Sequence, residues 1–240
     1  MTYNPEIHND LRPNVGVTVA AFIFQNDTLK VLTYKRDSDS EVFPNLLALP
    51  NSPYLRTNEN SDAAAVDAVK AKTGLSFPVE KYNYFTGNYI DPDRINTVNL
   101  AYIALGNIDS MTNQASLKDN SKWVSVDILL EKSDSEFAFN HKEILVSAVN
   151  QVKDWAKYNT HSLRLLPDMF TISEFRDITE YLLGAKLNNS RFRDRVSKTD
   201  EIIIPVEGEF KTGSNRPAQL YRYNPDYKGD FYPRSLTKPS

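Results

Sequence analysis

Two helical segments joined by a short turn, with two strand-like segments after them, constrain the fold of this chain more than any other feature. Apolar residues recur at helical spacing over 173–184 and again over 189–197. The strand-like segments 201–206 and 219–223 flank a loop, 207–217, that contains Gly, Ser and Asn. Helix, short turn, helix and β-hairpin in this order are the outline of a winged helix-turn-helix.

The residues before this region have a different pattern, with more strands than helices. The predicted strands are 15–24, 29–34, 82–89, 97–105 and 122–126, and a short apolar segment lies at 46–49. The predicted helices are 62–72 and 142–157. We expect the first helix to bury Ala65, Val66 and Val69 and to end before Gly74, where glycine adopts a left-handed conformation easily. Trp123 is the expected anchor of the last strand.

The two patterns divide the chain at a short polar linker, 158–161. They predict an N-terminal arm over 1–14, a large domain over 15–157, a winged helix domain over 162–224 and a C-terminal tail over 225–240. The tail carries Tyr227, Phe231 and Tyr232 among basic residues. It either packs on a partner subunit or is mobile.

The composition excludes several classes of site. The chain of 240 residues has no cysteine, which rules out a disulfide framework, a thiol nucleophile and a zinc site with Cys ligands. Its three histidines, His8, His141 and His161, are scattered, so we predict neither a metal site nor a cofactor. The apolar run 15–24 is too short to cross a bilayer and no signal sequence is evident, so a cytoplasmic location without a membrane partner is expected.

Charge is unevenly distributed and points to the second domain as the basic one. Residues 1–157 hold 15 Lys and Arg against 20 Asp and Glu, whereas residues 158–240 hold 13 against 11. Such a bias alone is typical of an ordinary solvated surface.

The second helix of the C-terminal region has the pattern expected of a DNA-reading helix. Phe192 and Val196 are four residues apart and pack inward together, while Arg191 and Arg195 lie on another face. Arginine binds guanine edges and phosphates in a bidentate manner, and the first residues of a recognition helix reach bases most easily. Alternatively, the arginines pair with Asp194 and Asp200 on an ordinary surface. The DNA-binding candidates are Thr171, Ser173, Asn189, Ser190, Arg191, Arg193, Arg195, Lys198, Lys211 and Arg216.

Motifs in the same region resemble the Nudix-related transcriptional regulators of the NrtR type. Residues 165–171, Leu-Leu-Pro-Asp-Met-Phe-Thr, are similar to the segment that opens the winged helix of that family. Residues 189–196 and 215–223 are similar to its Asn-Phe-Arg-Arg-Lys and Arg-Pro-Ala-x-Leu-Tyr segments. The resemblance implies a Nudix-like α/β/α sandwich with a mixed sheet, followed by a winged helix-turn-helix, an α+β fold.

The run 49–75 resembles a degenerate Nudix box. Val69, Gly74 and the spacing of Glu59 fit the signature, whereas Pro53 replaces its glycine. Asp67-Ala68 stands in place of Arg-Glu and Ala71-Lys72 in place of Glu-Glu. Nudix hydrolysis needs carboxylates on one helix face to hold divalent cations, so no catalytic residue and no hydrolase activity are predicted.

The resemblance also implies what the large domain does. Residues 88–105 and 138–145 resemble family segments, and they place Asp91, Arg94, Asn140 and His141, together with Arg36, as candidate effector contacts. The effector implied is ADP-ribose, a related NAD metabolite or a pentose. The alternative to an effector contact is helix capping or core packing for His141. For Arg36 the alternative is a solvated side chain at the end of a strand.

The function implied is a homodimeric repressor that binds a palindromic operator in double-stranded DNA and responds to that small molecule. Two other readings stay open. In the first, the chain is a divergent Nudix hydrolase that uses other carboxylates such as Asp62 and Asp67. In the second, it is a nucleotide- or protein-binding module without affinity for DNA.

Overall fold

The computed structural model describes residues 14–52, 60–76, 80–89, 97–107, 117–196, 202–212, 217–224, 226, 227 and 232. The strands are β1 Asn14–Gln25, β2 Thr28–Lys35, β3 Leu47–Ala48, β4 Asn51–Ser52, β5 Glu80–Tyr89, β6 Thr97–Gly106, β7 Ser121–Ser125, β8 Ile203–Lys211 and β9 Ala218–Tyr223. The helices are α1 Ser61–Thr73, α2 Val126–Glu131, α3 His141–Tyr158, α4 Ile172–Leu183 and α5 Asn189–Val196, with 3-10 turns at Asp134–Glu136 and Thr160–Leu165.

The first seven strands form one sheet. Its order is β3-β2-β1-β6-β5, with β4 paired to β1 and β7 paired to β2. The pairs β1–β4, β2–β3 and β5–β6 are antiparallel, and an isolated parallel bridge joins Leu47 to Phe137. Successive residues of β1 from Val17 to Ile23 are buried, as expected for a central strand covered on both faces.

Helix α1 begins and ends where its sequence predicts. The side chain of Asn60 accepts a hydrogen bond from the amide of Asp62 at 2.8 Å, and Gly74 adopts φ 82° at the C-terminus. Its buried face consists of Ala64, Ala65, Ala68, Val69 and Thr73. Val66, predicted to be part of the buried face, is only half-buried.

The end of β7 differs from the prediction. The strand stops at Ser125, and Val126 begins the short helix α2 that the pattern did not indicate. Trp123, expected as a buried anchor, is half-buried. Helix α2 buries Val126 and Leu129, and the buried ammonium of Lys142 donates to the carbonyls of Leu129 and Leu130 at 2.6 and 2.7 Å. Because Lys142 lies 13 and 12 residues beyond these two carbonyls, no local pattern could have indicated this cap.

The predicted polar linker is a buried 3-10 turn. Tyr158 still belongs to α3, and Asn159, Thr160, His161 and Ser162 are all buried. The side chain of Asn159 accepts from the amide of His161 at 2.8 Å. The rings of Trp155 and His161 lie 5.3 Å apart. The segment is polar in composition but internal, because part of its polar capacity is satisfied within the turn itself.

The chain divides into two compact units. The first holds the described residues within 1–21, 31–104 and 113–146, and the second those within 22–30, 105–112 and 147–240. The N-terminal arm lies outside the described residues except for Asn14, which begins β1. In the tail, Tyr232 is buried in the second unit with its ring 6.2 Å from that of Phe175. At this residue the chain packs on itself, which neither alternative for the tail anticipated.

Candidate nucleic-acid interface and candidate effector site

Helix α4 opens with a capping box. Thr171 Oγ1 accepts from the amide of Glu174 at 3.2 Å, and a Glu174 carboxylate oxygen accepts from the amide of Thr171 at 2.8 Å. Thr171 is buried, so its side chain is committed to the helix start rather than to a ligand. The nearby candidate Ser173 is exposed. The helix ends at Gly184, whose φ of 63° is left-handed.

A buried carboxylate fixes the turn between the two helices. Glu180 Oε1 accepts from the amide of Leu187 at 2.9 Å, and Glu180 Oε2 pairs with Lys186 Nζ at 2.7 Å. Asn188 then caps α5, since its side chain accepts from the amide of Arg191 at 3.1 Å. The sequence prediction missed both roles, although Asn one residue before a predicted helix was a usable signal.

Helix α5 presents the two faces that its sequence predicts. Phe192 and Val196 are each 2% exposed, and the Phe192 ring meets that of Phe175 edge to face at 5.2 Å. The outer face carries the candidates Asn189, Ser190, Arg191 and Arg193, which are all exposed, and Arg195, which is half-buried. Packing of Phe192 and Val196 therefore orients the polar and cationic face of α5 toward solvent.

Strands β8 and β9 form the predicted hairpin, but its first strand is longer than predicted. β8 continues to Lys211 through residues assigned to the loop 207–217. Lys211 Nζ pairs with Glu174 Oε1 at 2.6 Å, so this candidate ties the hairpin to the start of α4. Gly208 adopts φ 75° between Pro205 and Phe210, where the register of the hairpin shifts. A β-bulge of this kind lets β8 continue beyond the glycine. The candidates Lys198 and Arg216 lie outside the described residues.

A groove of about 1050 Å³ separates α5 from the hairpin. Ser190 and Arg193 of α5 line one side, and Phe210 and Gln219 of the hairpin line the other. Ser173, at the start of α4, also reaches it. Four of the predicted DNA-binding residues thus border one surface: Thr171, Ser173, Ser190 and Arg193.

The effector candidates of the large domain are only partly brought together. Arg36 is half-buried, its Nε donates to the carbonyl of Val42 at 3.1 Å, and its guanidinium lies 5.2 Å from the Phe139 ring centre. Asn140 is half-buried and precedes α3, where its carbonyl accepts from the amide of Ile144 at 3.1 Å. Asp91 and Arg94 lie outside the described residues.

His141 is a structural residue in this geometry. It is 1% exposed, and its Nδ1 accepts from the amide of Leu49 at 3.1 Å. Burial, reinforced by the charge of Arg36, lowers the pKa of His141 to about 3, so the imidazole is neutral. This arrangement corresponds to the packing alternative, because the ring is enclosed and its Nδ1 already accepts a hydrogen bond.

Helix α1 carries no carboxylate at the last three acidic positions of the Nudix signature. Ala68 is buried in the core, Ala71 is exposed, and Lys72 places its ammonium 5.7 Å from the centre of the Tyr34 ring. Burial, and then the charge of Arg36, lowers the pKa of Lys72. Pro53 and Glu59 lie outside the described residues, and within the described ranges no cluster of three His, Cys, Asp or Glu side chains is placed to hold a metal ion.

Comparison with known proteins identifies the C-terminal segment. Residues 162–223 match the family described as the NrtR DNA-binding winged helix domain. Over 95% of this chain and 88% of the other, the sequence is 28% identical to the ADPR responsive transcriptional repressor NtrR of Acinetobacter baylyi. The crystal structure of Shewanella oneidensis NrtR with a 27mer DNA superposes with a TM-score of 0.78 at 26% identity, over 93% of this chain and 99% of that one.

This chain has the fold of an NrtR-type regulator. The resemblance inferred from its motifs is confirmed, and so is the α+β class with a Nudix-like domain followed by a winged helix. The NUDIX domain of Shewanella oneidensis NrtR complexed with ADP ribose matches with a TM-score of 0.50 at 22% identity, covering 63% of this chain and 94% of that one, a likeness of fold. The relative from A. baylyi is named a transcriptional repressor, which is a regulatory role.

The helices of the described ranges are too short or too polar to cross a membrane.

Proposed function

We propose that this chain is a DNA-binding transcriptional repressor whose Nudix-like domain senses ADP-ribose or a related NAD metabolite. The observation that carries the proposal is the exposed polar and arginine-bearing face of α5, within the segment that matches an NrtR DNA-binding winged helix domain. An exposed guanidinium forms bidentate hydrogen bonds with guanine or phosphate without first having to be removed from a packed core.

The DNA contacts follow from exposure and position. Asn189, Ser190 and Arg191 in the first turn of α5 read bases, and Arg193 and Arg195 meet the backbone, with Lys198 and Arg216 as further candidates. Ser173 adds a backbone contact at the start of α4. Thr171 acts indirectly by capping that helix, and Lys211 acts through its ion pair with Glu174.

The relatives support the choice of partners. A. baylyi NtrR is named for its response to ADPR, and the structure of S. oneidensis NrtR contains DNA. By extension, this chain binds a palindromic operator as a homodimer, and the metabolite changes its affinity for that operator. A pentose is the other effector class that the sequence left open, and it is tested by adding a pentose in place of ADP-ribose to the DNA-binding assay.

We further propose that pyrophosphatase activity is lost. Asp62 and Asp67, the carboxylates left for a divergent hydrolase, are five positions apart on α1 and so face different directions. Asp62 also accepts a hydrogen bond from the Tyr102 hydroxyl at 3.1 Å. Incubation with ADP-ribose and Mg²⁺ is expected to release no AMP, and release at ordinary enzymatic turnover would contradict the loss.

An electrophoretic shift with DNA fragments from upstream regions of the source genome tests the DNA-binding proposal. Replacing both Arg191 and Arg193 by Ala is expected to weaken binding by about tenfold or more. It should also flatten the salt dependence, because loss of the phosphate contact of Arg193 lowers the slope by about one unit. The matched control replaces the exposed Lys122 and Lys153 by Ala, which removes the same charge from other elements. Equal losses in both double variants, or no binding at low salt, would overturn the proposal.

A further inference from the structure

Two cationic side chains converge at the C-terminal end of α1. Arg36 directly follows β2, two positions after Tyr34, and its charge acts on both Tyr34 and Lys72. The ammonium of Lys72 lies over the Tyr34 ring at 5.7 Å. The Tyr34 hydroxyl is held by Asn51 Oδ1 at 2.8 Å, so the ring beneath the ammonium is fixed.

The surroundings of these cations leave their charge largely uncompensated. Within the described ranges, neither Lys72 nor Arg36 has a carboxylate oxygen within 4.0 Å. The carboxylate of Asp37 attracts the ammonium of Lys72, whereas Lys118 adds a third positive charge that repels it. The ammonium of Lys118 donates a hydrogen bond to the carbonyl of Ala71 at 2.6 Å. Like charges held together on a half-buried surface raise the electrostatic free energy until an anion neutralises them.

The position of Lys72 along the chain gives this cluster its meaning. Lys72 stands where the Nudix signature has the second glutamate of its Glu-Glu pair, a residue of the metal-holding face. A hydrolase supplies positive charge to a pyrophosphate through divalent cations bound there. Here a covalently attached ammonium occupies the same position on the helix, and it supplies charge without activating a water molecule.

We propose that Lys72 and Arg36 bind the pyrophosphate group of a small molecule and that this binding needs no divalent cation. The inference rests on the proposed function only in identifying that molecule with the effector. Lys72 acts as a point charge on one phosphate, and the guanidinium of Arg36, stacked on Phe139, offers planar donors to the other.

Isothermal titration of the full chain with inorganic pyrophosphate and with ADP-ribose, each in EDTA and in Mg²⁺, tests this site. Both ligands are expected to bind in EDTA, with an affinity that Mg²⁺ does not increase. Lys72→Met keeps the aliphatic packing over Tyr34 and removes the charge, so affinity for both ligands is expected to fall about tenfold or more. Lys72→Arg retains most of the binding.

Lys70→Met is the matched control, since Lys70 is exposed in the same last turn of α1 and shares its helix dipole. Binding that appears only with Mg²⁺, equal affinity in the Lys72→Met variant and the parent, or no binding of either ligand would overturn the site. The DNA shift assay is independent. A chain that binds pyrophosphate in EDTA but no DNA overturns the proposed function alone, and one that shifts DNA but needs Mg²⁺ for the ligand overturns this site alone.

Discussion

His141 illustrates at the residue scale how one side chain can match a functional motif and still serve the fold. The resemblance to Nudix-related regulators suggested His141 as an effector contact. In the structure, however, its Nδ1 accepts a hydrogen bond from the Leu49 amide and its ring is buried. A buried imidazole with an amide donor on Nδ1 is stable only in the neutral form, because a proton on that nitrogen would break the hydrogen bond.

A pH dependence of stability follows from this neutral form. The unfolded chain takes up the proton near the ordinary pKa of 6.5, whereas the native His141 does so only near 3. The stability contributed is therefore full above pH 6.5 and is lost as the pH falls toward 3, by about 2 kcal/mol between pH 7 and pH 5. Denaturant unfolding at several pH values should show a shallower dependence in His141→Gln than in the parent, and parallel curves would refute a neutral buried His141.

Single elements depend on contacts from distant parts of the chain. The six-residue helix α2 is too short to be stable alone, and Lys142 closes its C-terminal end by donating to the carbonyls of Leu129, Leu130 and Lys132. Helix α4, by contrast, holds its own start through the capping box of Thr171 and Glu174.

Removing the ammonium of Lys142 should destabilise α2. Lys142→Met retains the aliphatic chain but leaves three carbonyl groups without their charged donor, so we expect a loss of about 2–3 kcal/mol in the free energy of unfolding. Lys153→Met on the exposed face of α3 should change it by less than about 0.5 kcal/mol. Both values are measured by denaturant unfolding, and equal stabilities would mean that Lys142 does not cap α2.

The capping box makes a testable distinction for Thr171, which the sequence suggested as a DNA contact. Thr171→Ala should cost about 1 kcal/mol of stability, because the amide of Glu174 loses its acceptor, and Thr171→Ser should restore most of it. If Thr171 acts only as a cap, the salt dependence of DNA binding is the same in all three proteins. A slope that falls in Thr171→Ala would assign the hydroxyl to a phosphate instead.

The whole molecule is divided into two compact units, yet single elements run through both. Strand β1 begins in the first unit and ends in the second, where the ring of Phe24 meets that of Tyr181 on α4 edge to face at 5.2 Å. Both residues belong to the second unit, and β1 continues from there into the first unit, so we predict that this contact contributes to the coupling between the proposed effector and DNA.

Phe24→Ala should therefore weaken the coupling between the two ligands rather than either binding event. In the parent we expect ADP-ribose to change the affinity for DNA by about fivefold or more. In Phe24→Ala, each ligand alone should bind as in the parent. The ratio of DNA affinities with and without ADP-ribose should become closer to one. The exposed Ile128→Ala is the control for loss of apolar surface. An unchanged ratio, measured by DNA titration with and without ADP-ribose, would show that coupling takes another route.

The features of the fold that depend on local chemistry could be predicted from the amino-acid sequence. Asn60 and Gly74 delimit α1, Gly184 ends α4, and the spacing of Phe192 and Val196 separates the packed face of α5 from its arginine face. Caps, left-handed glycines and helical periodicity all act within one or two turns, so their signals are read from neighbouring residues.

The features that depend on distant partners became visible only in the folded chain. The enclosure of His141, the cap that Lys142 places on α2 and the burial of the polar segment around Asn159 require residues far apart in the chain to meet. The same holds for Lys72, which the sequence marked as a lost metal ligand and the fold placed against the ring of Tyr34. Burial and charge pairing depend on which residues are neighbours in space. Residue types along the chain do not specify these neighbours until the fold brings distant segments together.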